Sequence, residues 1–189
     1  MAVAVALVAV VLAYASTMPL GGAPVPSPAT GTVAAGSAGL GARVGQAAPD
    51  FVGVDGVTPL LTDLDGKQIR LADFAGRPLW VVFWATWCSP CQQEATDILA
   101  AYHAHADDGL AVLAIDVQEP EAAARAFMND RDLDYEIGLD PAAEIKARYG
   151  ALALPSHIFI DATGVIRDRY LGQLTGELME QHLRSIIGS

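Results

Sequence analysis

Cys88 and Cys91 are the only cysteines in the 189 residues, and they stand two residues apart in Trp84-Ala85-Thr86-Trp87-Cys88-Ser89-Pro90-Cys91. Upstream, Arg77-Pro78 breaks the chain and Leu79-Trp80-Val81-Val82-Phe83-Trp84 reads as a buried strand over 79–84. Pro90 suits the first turn of a helix over 90–106, so Cys88 falls at a strand-to-helix junction. The unpaired N–H groups and positive dipole end of a helix favour a thiolate over its thiol. A cysteine thiol that ordinarily titrates near ~8.5 falls to roughly 3.5–7.5 in such places, and the thiolate is the form that attacks a disulfide. The spacing therefore predicts Cys88 as the attacking sulfur and Cys91, one turn deeper, as the resolving one. It also lets the two sulfurs join as a Cys88–Cys91 disulfide without unwinding the helix, so the pair can cycle between dithiol and disulfide.

Two other uses of such a pair are weaker. Zinc would need two further ligands, and His103 and His105 follow, but one residue separates them instead of three to five and both lie on the same helix. They read as solvated helix residues, and neither a metal nor any other cofactor is expected. A purely structural disulfide would close so short a loop that it removes little chain entropy.

The run Phe83-Trp84-Ala85-Thr86-Trp87-Cys88-Ser89-Pro90-Cys91-Gln92-Gln93-Glu94 resembles the TlpA/ResA-like (DsbE-like) branch of the thioredoxin superfamily. The similarity extends upstream to Val44-Gly45-Gln46-Ala47-Ala48-Pro49-Asp50-Phe51, Asp65-Gly66-Lys67 and Leu71-Ala72-Asp73-Phe74-Ala75-Gly76-Arg77-Pro78. Downstream it extends to Leu154-Pro155-Ser156-His157-Ile158-Phe159-Ile160-Asp161-Ala162-Thr163-Gly164, so it covers about residues 44 to 187. The resemblance implies a cis-proline at Pro155 opposite the dithiol, with Leu154 offering backbone groups to a bound substrate strand. On the residues alone, an ordinary trans proline opening a strand is the favoured reading of Pro155, and it is the resemblance that reverses it.

Departures from the pattern bear on the site. Thioredoxins proper carry a buried acid two residues before the first motif tryptophan, where this chain has Val82. The resemblance gives that place to a glutamate three residues past the second cysteine, matched by Glu94, which shares the helix side of Cys91. Glu94 is thus the candidate proton carrier for Cys91, against the plainer reading of a solvated acid in the first turns of a helix. The branch commonly places a proline after Glu94 and a threonine two residues past the cis-proline; Ala95-Thr96 and His157 stand here. His157 reads as a strand-surface histidine ahead of the alternative, a contact with the substrate groove or with the thiolate. The opening Ala48-Pro49-Asp50-Phe51 is shared with peroxiredoxins, whose reactive cysteine follows a proline by seven residues and a threonine by three. Val81 and Ala85 hold those places before Cys88, and Trp84 and Cys88 hold them before Cys91, so no peroxidase is expected.

Residues 2–15 form one uncharged apolar run, and the first charged residue is Arg43. That length suits a signal-peptide core better than a span of ~20 residues, with Ala13-Tyr14-Ala15 resembling a cleavage site, although no Lys or Arg precedes the run. Residues 21–42 hold six glycines, three prolines and no charge, as in a flexible tether. The expected organisation is a signal peptide or membrane anchor over 1–20, a linker over 21–42 and one thioredoxin-like domain over 43–189, facing outward from the membrane.

Within that domain the patterns predict strands over 110–117, 135–139, 156–161 and 165–170, and helices over 120–132, 140–149 and 175–187. Helix-strand alternation followed by a hairpin gives an α/β fold with a mixed central sheet flanked by helices, and the resemblance implies an N-terminal strand and hairpin extension before it. The net charge of −11, from 22 acids against 11 bases, argues against nucleic acid. Trp87 and Pro90, with Trp84 either beside them or in the core, form an apolar collar for extended cysteine-containing proteins. The expected function is extracytoplasmic thiol–disulfide exchange by a monomer, with protein thiols or disulfides such as apocytochrome c as clients and a membrane redox partner. A membrane-tethered client-binding protein without turnover is the alternative.

Overall fold

The computed structural model describes residues 41–188, so the apolar run over 2–15 and nearly all of the tether lie outside the described residues. Strand β1 (Leu79–Trp84) is buried along its whole length because it serves two cores at once. Leu79, Val81 and Phe83 point into one and Trp80, Val82 and Trp84 into the other, as the period of two dictates. Around it lie β2 (Ala111–Val117), β3 (Glu136–Asp140), β4 (Ser156–Ile160) and β5 (Ile166–Leu171), in the order β3-β2-β1-β4-β5. The β1/β2 and β2/β3 pairs are parallel; the β1/β4 and β4/β5 pairs are antiparallel. This is a mixed sheet of the thioredoxin-like α/β kind.

The layer behind Trp80, Val82 and Trp84 is built by α1 (Ser89–Ala104), α2 (Glu121–Asp130) and α4 (Gly176–Leu183). They contribute Cys91, Ala95, Ile98 and Ala101, then Ala124, Phe127 and Met128, then Met179 and Leu183. The opposite face is covered by α3 (Glu144–Tyr149), through Ile145 and Tyr149, and by the N-terminal extension, through Phe51, Leu61, Ile69 and Phe74. The Tyr149 hydroxyl donates to the Pro49 carbonyl at 2.6 Å, tying the two together. Ala42 already packs here, its N–H donating to the Arg148 carbonyl at 3.1 Å.

The extension carries isolated bridges, Val52 to Pro59 and Thr62 to Gln68, in place of continuous strands. Aspartates draw the backbone into turns instead: Asp55 accepts the N–H groups of Val57 and Thr58, and Asp63 those of Asp65 and Lys67. It also touches both sheet edges. The Thr62 carbonyl accepts the Leu139 N–H of β3 at 2.7 Å, and at the start of β5 Ile166 exchanges bonds with Gly45 and Gln46 at 2.8 and 2.9 Å.

Helix α3 begins at Glu144, later than the 140–149 span predicted from Asp140-Pro141, because Ala143 takes a left-handed conformation (φ 56°) before it. Asp140 still caps it, its carboxylate accepting the N–H groups of Glu144 and Lys146 at 2.9 and 2.8 Å. Helix α4 opens on Thr175, whose hydroxyl accepts from Leu178, and gives way to turns after Leu183 instead of running to 187.

Candidate active site

Cys88 is the N-cap of α1, with extended backbone (φ −79°, ψ 100°), and its sulfur accepts the N–H of Cys91 at 3.3 Å. Pro90 sits in the first turn, where a missing N–H removes no helical bond. The two sulfurs are joined at 2.03 Å. Both cysteines are nearly covered, Cys88 at 5 % and Cys91 at 3 % exposure. When the bond opens, a thiolate on Cys88 faces the unpaired N–H end of α1, which is a stabilising position for negative charge.

The loop before Cys88 is held from two sides. Glu119 accepts both the N–H and the hydroxyl of Thr86 at 2.5 Å, and the Gln92 amide donates to the Thr86 carbonyl at 2.5 Å. Trp84 is core, tilted against Phe127 with ring centroids 4.7 Å apart, so it takes no part in a surface collar. Trp87 is 70 % exposed, and Pro90 is exposed as well. The Leu154–Pro155 peptide is cis, and Leu152 in the same loop is 79 % exposed. Sequence reasoning missed Leu152, which carries no signal beyond its place before the proline, and it missed the Glu119 clamp, whose partner lies 33 residues away.

Behind the dithiol the structure buries several ionisable side chains, three of which are Glu94, His157 and Asp116. Glu94 is wholly buried on the inner face of α1 with Cys91, and its carboxylate accepts the Leu174 N–H at 2.9 Å. Burial pushes its acid up to about 8, with the Asp97 charge adding to the rise and the Leu174 bond opposing it. His157 is a correction to the surface reading: it is 0 % exposed, because β4 is an inner strand with Val82 of β1 on one side and Tyr170 of β5 on the other. Its Nε2 donates to the Gly172 carbonyl at 3.1 Å and lies 3.4 Å from Glu94 Oε1. Burial holds the imidazole down at about 3. Asp116, on β2 in register with Trp84, is the third, raised to about 8 by burial and by the Glu119 carboxylate.

His103 and His105 are held by carboxylates. His103 meets Asp134 at 3.0 Å in the open, whereas His105 is only one-fifth exposed and lies between Asp108 and Glu180 at 2.8 and 3.0 Å. The solvated reading therefore holds for the first and not for the second. No group of three or more His, Cys, Asp or Glu side chains among the described residues is arranged to hold a metal ion. A cavity of about 340 Å³ beside Phe74, Leu79 and Ile160 opens at the far end of β1, away from the sulfurs.

Residues 44–169 match the AhpC/TSA family. Thiol-disulfide oxidoreductase ResA of Bacillus thuringiensis is 34 % identical over 144 residues, which is 76 % of this chain and 79 % of that protein. The chain belongs to the ResA-like thiol–disulfide oxidoreductases of the AhpC/TSA family. ResA of Geobacillus thermodenitrificans is likewise 34 % identical, over 76 % of this chain and 78 % of its own length. Among solved structures, a putative thiol:disulfide interchange protein DsbE from Chlorobium tepidum superposes with a TM-score of 0.67 at 24 % identity, covering 76 % of this chain and 96 % of that one. For this oxidoreductase, protein thiols and disulfides are the substrate class.

Proposed function

We propose that this oxidoreductase works outside the cytoplasm and exchanges disulfides with extended protein segments at Cys88, in the manner of reductants that serve cytochrome c maturation. The reading is supported most by one arrangement: a disulfide at the mouth of α1 with a buried carboxyl group one turn behind it that burial raises to about 8, near enough to neutral pH to take a proton when ionised and to return it. In the reducing direction, Cys88 thiolate attacks a client disulfide, whose S–S bond breaks and whose first sulfur leaves and takes a proton. Cys91 then gives its proton to the Glu94 carboxylate and attacks Cys88 Sγ. The Cys88–Cys91 bond forms, the second client sulfur leaves as a thiolate that water protonates, and two electrons have passed to the client. A membrane dithiol partner restores the pair: Cys91 leaves as thiolate and takes back the Glu94 proton. Trp87, Pro90, Leu154 and cis-Pro155 shape the docking groove. The segment over 1–20 exports or anchors the chain, 21–42 tethers it, and the domain over 43–189 acts as a monomer.

The test is trapping. A Cys91→Ser variant exposed to cell-envelope extracts accumulates mixed disulfides at Cys88, and Cys88→Ser does not reduce insulin. Absence of any adduct on Cys91→Ser protein whose Cys88 still alkylates overturns the reading.

A further inference from the structure

The Glu94–His157 contact lies in the interior where a thioredoxin-like sheet offers little room for polar groups. Gly172 O can only accept, so the proton of the neutral imidazole sits on Nε2. The same N–H faces Glu94 Oε1 at 3.4 Å, an oxygen that has no hydrogen-bond partner among the described residues, while Oε2 is taken by Leu174 N–H. Nδ1 is buried without a partner among the described residues, so a second proton on the ring would create a donor with no acceptor. The ring plane is fixed between Trp80, with centroids 5.8 Å apart, and Tyr170, at 6.3 Å.

We propose that His157 is a positioning residue for Glu94: as a permanently neutral imidazole it supplies the N–H that stabilises the ionised carboxylate. The proposal rests on the reading of Glu94 as the proton carrier for Cys91. When Glu94 ionises, a shift of about 0.5 Å brings Nε2–H to ordinary hydrogen-bond length from Oε1, forking the bond already made to Gly172. Two donors, Leu174 N–H and His157 Nε2–H, then hold the two carboxylate oxygens against the desolvation that favours the acid. His157 thereby keeps the proton affinity of Glu94 within reach of neutral pH, where an acid held by burial alone would not let its proton go.

Other groups around the pair act in known directions. Asp97 on α1 opposes ionisation of Glu94. His182 on α4, paired with Asp168 at 2.6 Å, opposes a charge on His157. Burial and the Glu94 charge push the Tyr135 phenol upward, so it stays neutral around the pH at which Glu94 titrates. Tyr170 faces the pair from β5, in ring contact with both His157 and His182. The imidazole of His157 and the carboxyl of Glu94 are therefore the two groups to follow.

The experiment is a side-chain carboxyl carbon NMR titration of Glu94 in the full oxidised chain, for wild type, His157→Phe and His157→Gln. His157→Phe keeps a ring and removes the donor, and should raise the Glu94 midpoint by about one to two pH units, as loss of a hydrogen bond to a charged group requires. His157→Gln returns an N–H and should bring the midpoint back to within about half a unit of wild type. A midpoint unchanged in His157→Phe overturns the proposal. Wild type supplies a second measurement that needs no variant to fold: imidazole nitrogen spectra must show His157 neutral and protonated on Nε2 from about pH 5 to 8. A ring that charges in that range, or carries its proton on Nδ1, overturns it as well. Thiol alkylation against pH in Glu94→Gln judges the carrier reading separately, since an unchanged thiol curve removes that role while the carboxyl titration still decides His157.

Discussion

Asp116→Asn replaces a buried acid by a neutral side chain of the same shape, and its effect on stability must depend on pH. In the unfolded chain the acid releases its proton near 3.8, whereas in the fold burial and the Glu119 carboxylate delay release to about 8. Between those values the folded protein holds the extra proton, so this residue makes the fold less stable as pH rises, and the loss is complete only above about 8. One proton changes the free energy by at most about 1.36 kcal/mol per pH unit, which sets a ceiling of about 2.7 kcal/mol between pH 5 and pH 7. For a domain of this size that corresponds to roughly 5–10 °C in Tm. Glu94 has the same sign, so wild type also weakens through the titration of that residue; the difference between wild type and variant isolates Asp116. Thermal unfolding of the oxidised proteins, followed by circular dichroism at pH 5, 6, 7 and 8, should show the variant gaining on wild type at each step. A constant gap across that range refutes a neutral Asp116 in the folded state.

Three further outcomes follow from packing and exposure. Asp140→Ala leaves the N–H groups of Glu144 and Lys146 without their cap and should lower stability by about 1–2 kcal/mol, read from urea unfolding. Gly138→Ala places a Cβ 2.9 Å from Leu61 Cγ, in a side chain with no exposure, and should lower stability by about 1–3 kcal/mol. Adding Leu61→Ala to it should show non-additivity, because the clash disappears with the side chain. Trp87→Ala removes a ring that is 70 % exposed, so unfolding should move by less than about 0.5 kcal/mol while KM for a protein client rises several-fold in steady-state assays.

Much of this fold is local in origin, and that part was legible. The run over 79–84 is β1 residue for residue, since six apolar residues between a proline and a helix cap admit little else. The span over 156–161 extends one residue past β4, and the span over 165–170 is offset by one from β5, because Asp161 and Val165 close the hairpin turn and Leu171 pairs with Ser156. What could not be read is tertiary. Nothing near His157 reveals that β4 has a strand on each side, and a polar residue in a short apolar run looks like a surface position until the strand order is known. Asp116 lies inside the strand predicted over 110–117, and only its register beside Trp84 and the return of Glu119 to Thr86 show that it is a buried acid on the dithiol side of the sheet. Glu94 came into view through resemblance, since a glutamate in the first turns of a helix is ordinarily in water. The strands and hairpin of the extension came into view through resemblance too; they take the form of isolated bridges flanking tight turns, whose N–H groups are held by Asp55 and Asp63.

The extension's three bonds to the sheet margins have a consequence for unwanted strand pairing. An open strand edge invites other chains to add themselves to the sheet, and such additions end in aggregates. With Thr62 fastened to β3 and Gly45 and Gln46 to the start of β5, both flanks are blunted at one point each. A segment remote in sequence from the cysteines thereby shields both margins of the sheet that carries them.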